Sequence, residues 1–366
     1  MSQPQHQTNI EILPLHLIRD IPSISQLWIV SFPAYPLSQE HLATLIAHQN
    51  GHHYIARIPG EGKTIGFVLA YTTKNPRQDP NSEIVPTSGY LAVLAVHPHY
   101  RGRGIGTALV NETKSWFKMA FEPCKLEVGS GIPRFWPGVP VPVSAPISGS
   151  AKNGSQKDSK CEEDSSSSSD SALPFFLNRG FRMRPDPPRS VDLYRDIRTF
   201  SLAETGIEYG QRAKDAGYTF APLTEDGYAE CLAGQERNFG HNPDWVSAYN
   251  TLNPRRHPNS IMAAFSPSGR QIGWTLMLPP SSPILQENWA MPATCGPTTG
   301  LIGCVGIDKE CRGSGAGIAL VAHAMGFMRD SGIEGVFVDW VALEGFYERL
   351  GFGIWGAYRV GELTVD

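Results

Sequence analysis

Arginine followed at fixed spacing by two glycines occurs twice in this chain, as Arg101-Gly102-Arg103-Gly104-Ile105-Gly106 and as Arg312-Gly313-Ser314-Gly315-Ala316-Gly317. Each copy follows an apolar stretch, residues 90–96 or 301–307, and leads into a helical pattern beginning near Gly106 or Gly317. Glycines clear side-chain bulk from successive backbone N–H groups, and a helix start adds partial positive charge. A pyrophosphate is the natural ligand of that arrangement. One copy alone would read as a tight strand-to-helix turn; two copies with matching flanks read as a duplicated ligand-binding domain. A dinucleotide-binding turn competes, but each motif carries an Arg five residues before its last Gly and lacks an acidic ribose reader about twenty residues on.

A second feature follows each loop: an aromatic pair and then Gly-Phe. It is Phe175-Phe176 with Gly180-Phe181 in the first copy and Phe346-Tyr347 with Gly351-Phe352 in the second. Loop and aromatic motif together resemble the GNAT superfamily of N-acetyltransferases, and the likeness spans nearly the whole chain. The resemblance implies two tandem acyl-CoA N-acyltransferase domains of α/β class, each a mixed, largely antiparallel central sheet flanked by helices. Acetyl-CoA is the implied co-substrate. Its binding residues would be Val305, Ile307, Arg312, Gly313, Ser314, Gly315, Ala316 and Gly317. If the first copy also binds, Val96, Arg101, Gly102, Arg103, Gly104, Ile105 and Gly106 would serve there.

Acetyl transfer to an amine needs a neutral nucleophile, a stabilised oxyanion and a proton for the departing thiolate. In the family that proton comes from a Tyr at the second aromatic position, which is Tyr347 here; the first copy has Phe176, which has no proton to give. The resemblance therefore implies one catalytic domain, the second. For the base, the strand 336–341 carries a carboxylate, Asp339, inside an apolar run. Such an Asp must be paired, protonated or functional. It is the candidate base, with pairing to an Arg as the alternative; Asp308, at the strand end entering the loop, is a weaker candidate. A backbone N–H at Val305 or a neighbour would hold the oxyanion.

Two aromatic segments, 132–140 and 239–245, could wall a carbohydrate pocket. Arg134, Trp136, His241, Asn242, Trp245 and Trp340 are its candidate residues, and a hydrophobic seam between domains is the other reading. The first segment resembles one found in GNAT domains beside N-acetylhexosaminidases, and the tandem layout resembles glucosamine and glucosaminide N-acetyltransferases. The expected substrate is a small-molecule amine, an amino sugar first, with a polyamine, antibiotic or protein amine as the alternative. A non-catalytic acyl-CoA-binding protein stands as a third reading.

The rest of the sequence agrees with two cores. The chain has 366 residues, 41% hydrophobic and 18% charged, enough for two compact domains. A net charge of -4 supplies no basic footprint for nucleic acid, and no apolar run approaches a membrane span. Six cysteines lie without metal-ligand spacing, so reduced thiols, no metal and a cytoplasmic location are expected. The polar residues 1–7 lack a signal-peptide pattern. Domain one is read as 8–198, with residues 191–197 as its closing strand, a linking helix as 199–216, and domain two as 217–366. Residues 144–172 are Ser-rich and polar and read as a disordered insertion. The interval from Arg101 to Phe181 is 80 positions against 40 from Arg312 to Phe352, and the surplus falls in that segment.

Overall fold

A computed structural model of the chain describes residues 10–72, 87–121, 124–129, 131–143, 172–185, 190–202 and 207–365. The expected polar start, residues 1–7, lies outside the described residues. So does the Ser-rich insertion except for Ala172, which opens a short helix.

Two mixed sheets carry the fold. The first contains β1 (Glu11–Pro14), β2 (Gly51–Arg57), β3 (Thr64–Thr72), β4 (Thr87–Val96) and β5 (Cys124–Val128), joined by antiparallel pairs except for the parallel pair β4–β5. The second contains β9 (Thr219–Pro222), β10 (Ile261–Phe265), β11 (Gln271–Leu278), β12 (Thr299–Ile307) and β13 (Gly335–Val341), again antiparallel except for β12–β13. Ser266 and Gly269 close the β10–β11 hairpin, with Gly269 at φ +82°. Strand β11 is buried along its whole length, which explains the apolar and small residues that follow Gln271.

Beyond the fifth strand the two halves exchange elements. The first sheet continues from β5 to β15 (Gly361–Val365), the last strand of the chain, and then to β7 (Arg182–Met183). The second continues from β13 to β8 (Ser190–Asp196), then to β14 (Gly353–Arg359) and β6 (Val139–Val141). Residues 191–197, read from sequence as closing the first domain, thus pair in the second sheet, and the chain's end closes the first. Which of the two sheets each strand joins is set by tertiary packing. Sequence pattern carries no information on that choice.

The helices α1 (Leu17–Ser31), α2 (Gln39–Ile46), α3 (Ile105–Ala120) and α4 (Ala172–Leu177) serve the first half. In the second, α5 (Ile207–Asp215), α6 (Tyr228–Phe239), α7 (Pro243–Asn250), α8 (Pro283–Asn288) and α9 (Ala316–Asp330) follow. Helix α9 is buried nearly all round, and its Ala and Gly residues let it seat closely on β11 and β12. The linking helix is shorter than the 199–216 read from sequence, because residues 199–202 are not helical; Gly217 at φ +71° follows its C-terminal end. Among the described residues no helix is long and apolar enough to cross a membrane, and no cluster of three or more His, Cys, Asp or Glu could hold a metal.

Candidate active site

The two glycine loops have one geometry. In the second, a 3₁₀ turn over Lys309–Cys311 leads to Arg312, whose Nε donates to the Ile307 carbonyl at 3.3 Å and so closes the loop on its own strand. Gly313 and Gly315 adopt φ +80° and +84°. A Cβ on Gly313 would meet nothing within 4 Å, so backbone conformation rather than crowding requires glycine there, and the cradle is open. Gly315 caps α9 without any side-chain bond, which leaves the first N–H groups of the helix facing that space. In the first half Arg101 Nε reaches the Val96 carbonyl at 3.1 Å, Gly102 and Gly104 adopt φ +77° and +81°, and α3 starts in the same way.

The third glycine of each loop has another task. A Cβ on Gly317 would lie 3.4 Å from the Phe346 ring, and one on Gly106 would lie 3.2 Å from Phe175. The first aromatic of each downstream pair therefore packs on the helix start, and this contact aims the second aromatic.

Strand β12 pairs with β13 only over Thr299–Leu301, while β13 stays paired with β8 as far as Val341, so β12 and β13 splay beyond Leu301. The β11–β12 register also skips Cys304 and Val305, and Cys304 sits at φ +48°. The bulge is held by side chains: Tyr249 donates its hydroxyl to the Cys304 carbonyl at 2.7 Å, and Thr275 donates to the Gly303 carbonyl at 3.0 Å. Backbone N–H groups outside the ladder are the donors available to a carbonyl oxygen here.

A cavity of about 740 Å³ runs through this opening. Val305, Ile307, Arg312, Gly313, Gly315 and Gly317 line one end, while Asp339, Trp340, Trp245 and Tyr347 line the other. Ser314 turns its hydroxyl back to the Cys311 carbonyl at 2.6 Å, and Ala316 is buried in the core; neither lines the cavity. Tyr347 opens a 3₁₀ turn, Tyr347–Leu350, rather than a regular helix, and is 9% exposed between Phe346 and Phe352. Burial first, then the neighbouring Cys304 and Asp339, pushes its phenol above the usual range, so it keeps its proton. Burial pushes the Cys304 thiol up to about 12.

Asp339 is paired, and its partner comes from the first half of the chain. Arg134 Nη1 lies 3.0 Å from Asp339 Oδ2, and Trp289 Nε1 donates to the same oxygen at 2.8 Å. The Arg134 backbone is stitched to the end of α8, donating to the Asn288 carbonyl and accepting from Ala290. Its guanidinium lies 4.7 Å from the Trp340 ring centroid and 5.7 Å from that of Trp289. Burial works against this charge, but Asp339, Cys304 and Asp244 together outweigh it and raise the Arg134 pKa above its ordinary value.

The remaining sequence candidates separate. Trp245 stacks on Phe239 and spends its indole N–H on Gln235. His241 and Asn242 are exposed and do not line the cavity; Asn242 caps α7 by accepting from the Trp245 N–H. Trp136 is 5% exposed and stacked on Trp28 at the wall of a different cavity, that of the first half. The sugar-platform reading of Trp136 at the second-half site finds no support in this lining: Trp136 belongs to the first-half cavity, and from its segment Arg134 reaches the second-half site through its bond to Asp339. Asp308 is held by Arg270, Asn238 and Arg237 and does not line the cavity, whereas Asp339 does. Trp289, Cys304 and Tyr249 were not found from sequence; only Phe346, in the aromatic motif, carried a usable signal.

The first half keeps a cavity of about 790 Å³ over its own loop, lined by Arg101, Gly102, Gly104, Ile105, Gly106 and Val96 among others, whereas Arg103 lies over the Tyr100 ring. Counted from the loops, Leu91 corresponds to Ile302. Val128 opposite Leu91 then stands where Val338 does, and Gly129 stands where Asp339 does. With Phe176 at the Tyr347 position, the first copy has the cradle and neither chemical group.

Comparison with known proteins agrees with this geometry. The family model for the acetyltransferase (GNAT) family matches residues 21–127 and 230–352, more than half of the chain. The chain belongs to the GNAT family and is an N-acetyltransferase with two such domains; enzymes of this fold use acetyl-CoA. The open glycine cradles fit that co-substrate's pyrophosphate. Among solved structures it is similar to a GCN5-related glucosamine N-acetyltransferase region of a fungal multi-domain GH3 β-N-acetylglucosaminidase, with 25% identity and a TM-score of 0.79, over 97% of this chain. It spans 38% of that fungal chain. A GCN5-related N-acetyltransferase from Sphaerobacter thermophilus shares the fold at 18% identity and a TM-score of 0.63, covering 98% of this chain and 96% of that one. A tandem GNAT protein from the clavulanic acid biosynthesis pathway does so at 16% and 0.60, covering 98% and 99%. Among curated proteins none matches the chain in sequence.

Proposed function

We propose that the second half transfers the acetyl group of acetyl-CoA to the free amine of an amino sugar, glucosamine or a short glucosaminide, by direct attack on the thioester. The observation that carries this reading is the convergence of the open cradle, the protonated Tyr347 and the carboxylate of Asp339 on one cavity. Acetyl-CoA supplies an activated acetyl group. Arg312 to Gly317 hold its pyrophosphate, and the N–H groups at the Cys304–Val305 bulge face the carbonyl. Tyr347 gives its proton to the sulfur. Asp339, paired with Arg134, receives the acceptor's ammonium and takes its proton.

What supports an amino sugar over other amines is the wall around Asp339. Trp340, 36% exposed, and Trp245 offer flat apolar faces, while Asp339, bonded to Arg134, offers an acceptor beside them. The likeness to a glucosamine N-acetyltransferase region points the same way. The test is CoA release measured with a panel of amines. Glucosamine and its oligomers are expected to give the highest kcat/KM, and turnover of a polyamine or aminoglycoside with none on glucosamine would overturn the acceptor assignment. The first half, lacking both groups, contributes no turnover. A cytoplasmic location goes with this reading, since acetyl-CoA is available there.

A further inference from the structure

A buried carboxyl outside the reacting groups lies directly behind the acceptor wall. Asp192 belongs to β8, the strand that the first half lends to the second sheet, and is 1% exposed. Opposite it the β8–β13 register slips between Val338 and Val341, so Asp339 and Trp340 bulge out of the ladder. Trp340 takes φ +56°, a conformation that a bulky L-residue adopts only when its surroundings impose it. Its N–H, lost to the ladder, donates to Asp192 Oδ1 at 3.0 Å.

We propose that Asp192 is a positioning residue for the acceptor pocket: by accepting the Trp340 N–H it fixes the β13 bulge that turns Trp340 toward Arg134 and presents Asp339 to the cavity. The inference rests on the acceptor site described above. A straight β13 would pair Trp340 or Asp339 with β8 and change the face on which each side chain lies, because side chains alternate along a strand. One carboxyl oxygen replaces the missing ladder acceptor and leaves the buried N–H satisfied.

Only an acceptor oxygen is needed for this task, not a charge. Burial pushes the Asp192 carboxyl well up; the bond from Trp340 opposes this, while the nearby Asp339 charge adds to it. Asparagine, which keeps an oxygen in the same place, should therefore replace Asp192, while valine, of similar size and without an acceptor, should not.

Two readouts test this. Amide hydrogen exchange over residues 336–343 in the ligand-free protein needs no acceptor. Trp340 N–H is expected to be protected in wild type and in Asp192→Asn, and to exchange at least tenfold faster in Asp192→Val. Steady-state kinetics then separates positioning from general stability. Asp192→Val is expected to raise the KM for glucosamine about tenfold with the KM for acetyl-CoA unchanged, and Asp192→Asn to keep both within about twofold of wild type. An Asn variant as impaired as the Val variant, or equal rises in both KM values, overturns the proposal. Should Asp192→Val fail to fold, rapid exchange of Trp340 in wild type, or an impaired Asn variant, would still overturn it. If wild type does not acetylate glucosamine, the acceptor assignment fails separately, and the exchange comparison alone decides the role of Asp192.

Discussion

Replacing Tyr347 by Phe removes one oxygen and leaves the ring. The ring contacts with Phe346 and Phe352, at centroid distances of 4.8 and 5.7 Å, survive the change. No protein hydrogen bond holds the hydroxyl among the described residues, so the melting temperature should stay close to wild type. A positioned general acid contributes about 10²- to 10⁴-fold. Two features narrow that range. The side chain is 9% exposed, so water cannot readily take the acid's place, which argues against a small effect. The phenol's raised pKa makes it a weaker acid than free tyrosine, which argues against the largest. The expected loss in kcat is about 10²- to 10³-fold, about 3–4 kcal/mol of barrier, with the KM for acetyl-CoA little changed. Because the shift is upward, wild-type kcat should show no alkaline decline from Tyr347 up to about pH 10. Thiol release followed across pH 6–10 measures both. A Phe variant within threefold of wild type throughout would refute the assignment of Tyr347 as the acid.

The two halves can be separated by a matched pair of substitutions. Gly315→Ala forces an L-residue to φ +84° at a cost of about 1–2 kcal/mol, and should raise the KM for acetyl-CoA about tenfold; Gly104→Ala should leave turnover intact, and a fall there would place catalysis in both halves. Arg134→Leu leaves Asp339 without its ion-pair partner, so the acceptor KM should rise more than tenfold while calorimetry shows a loss of about 2 kcal/mol. Burial lowers the pKa of His53 to about 4, against a bond from its ring to the Ile46 carbonyl, so its neutral form is favoured by the fold. Stability should then fall as pH drops from about 6.5 to about 4, by at most about 3 kcal/mol, and His53→Gln should flatten that slope in denaturant titrations.

The sequence by itself determined the local parts. Arg312, Gly313 and Gly315 could be read because a backbone that must reach φ near +80° and bond its own strand leaves few residue choices. The hairpin at Ser266–Gly269, the strand Ile261–Phe265 and the aromatic pairs were legible for similar reasons, since each depends on neighbours a few residues away. The contrast between Tyr347 and Phe176 also stood in the sequence, and it already set one half apart. Tertiary structure decided everything that joins distant positions. Exchange of β8 and β15 between the sheets depends on which of two similar edges each strand meets, and strand patterning is the same for both. That exchange brings Asp192 behind Trp340, and the crossing of the 131–141 segment brings Arg134 to Asp339, 205 positions away. An aspartate in an apolar strand announces that it needs a partner. Which partner it has, and from which half of the chain, is fixed only when the two sheets close on each other.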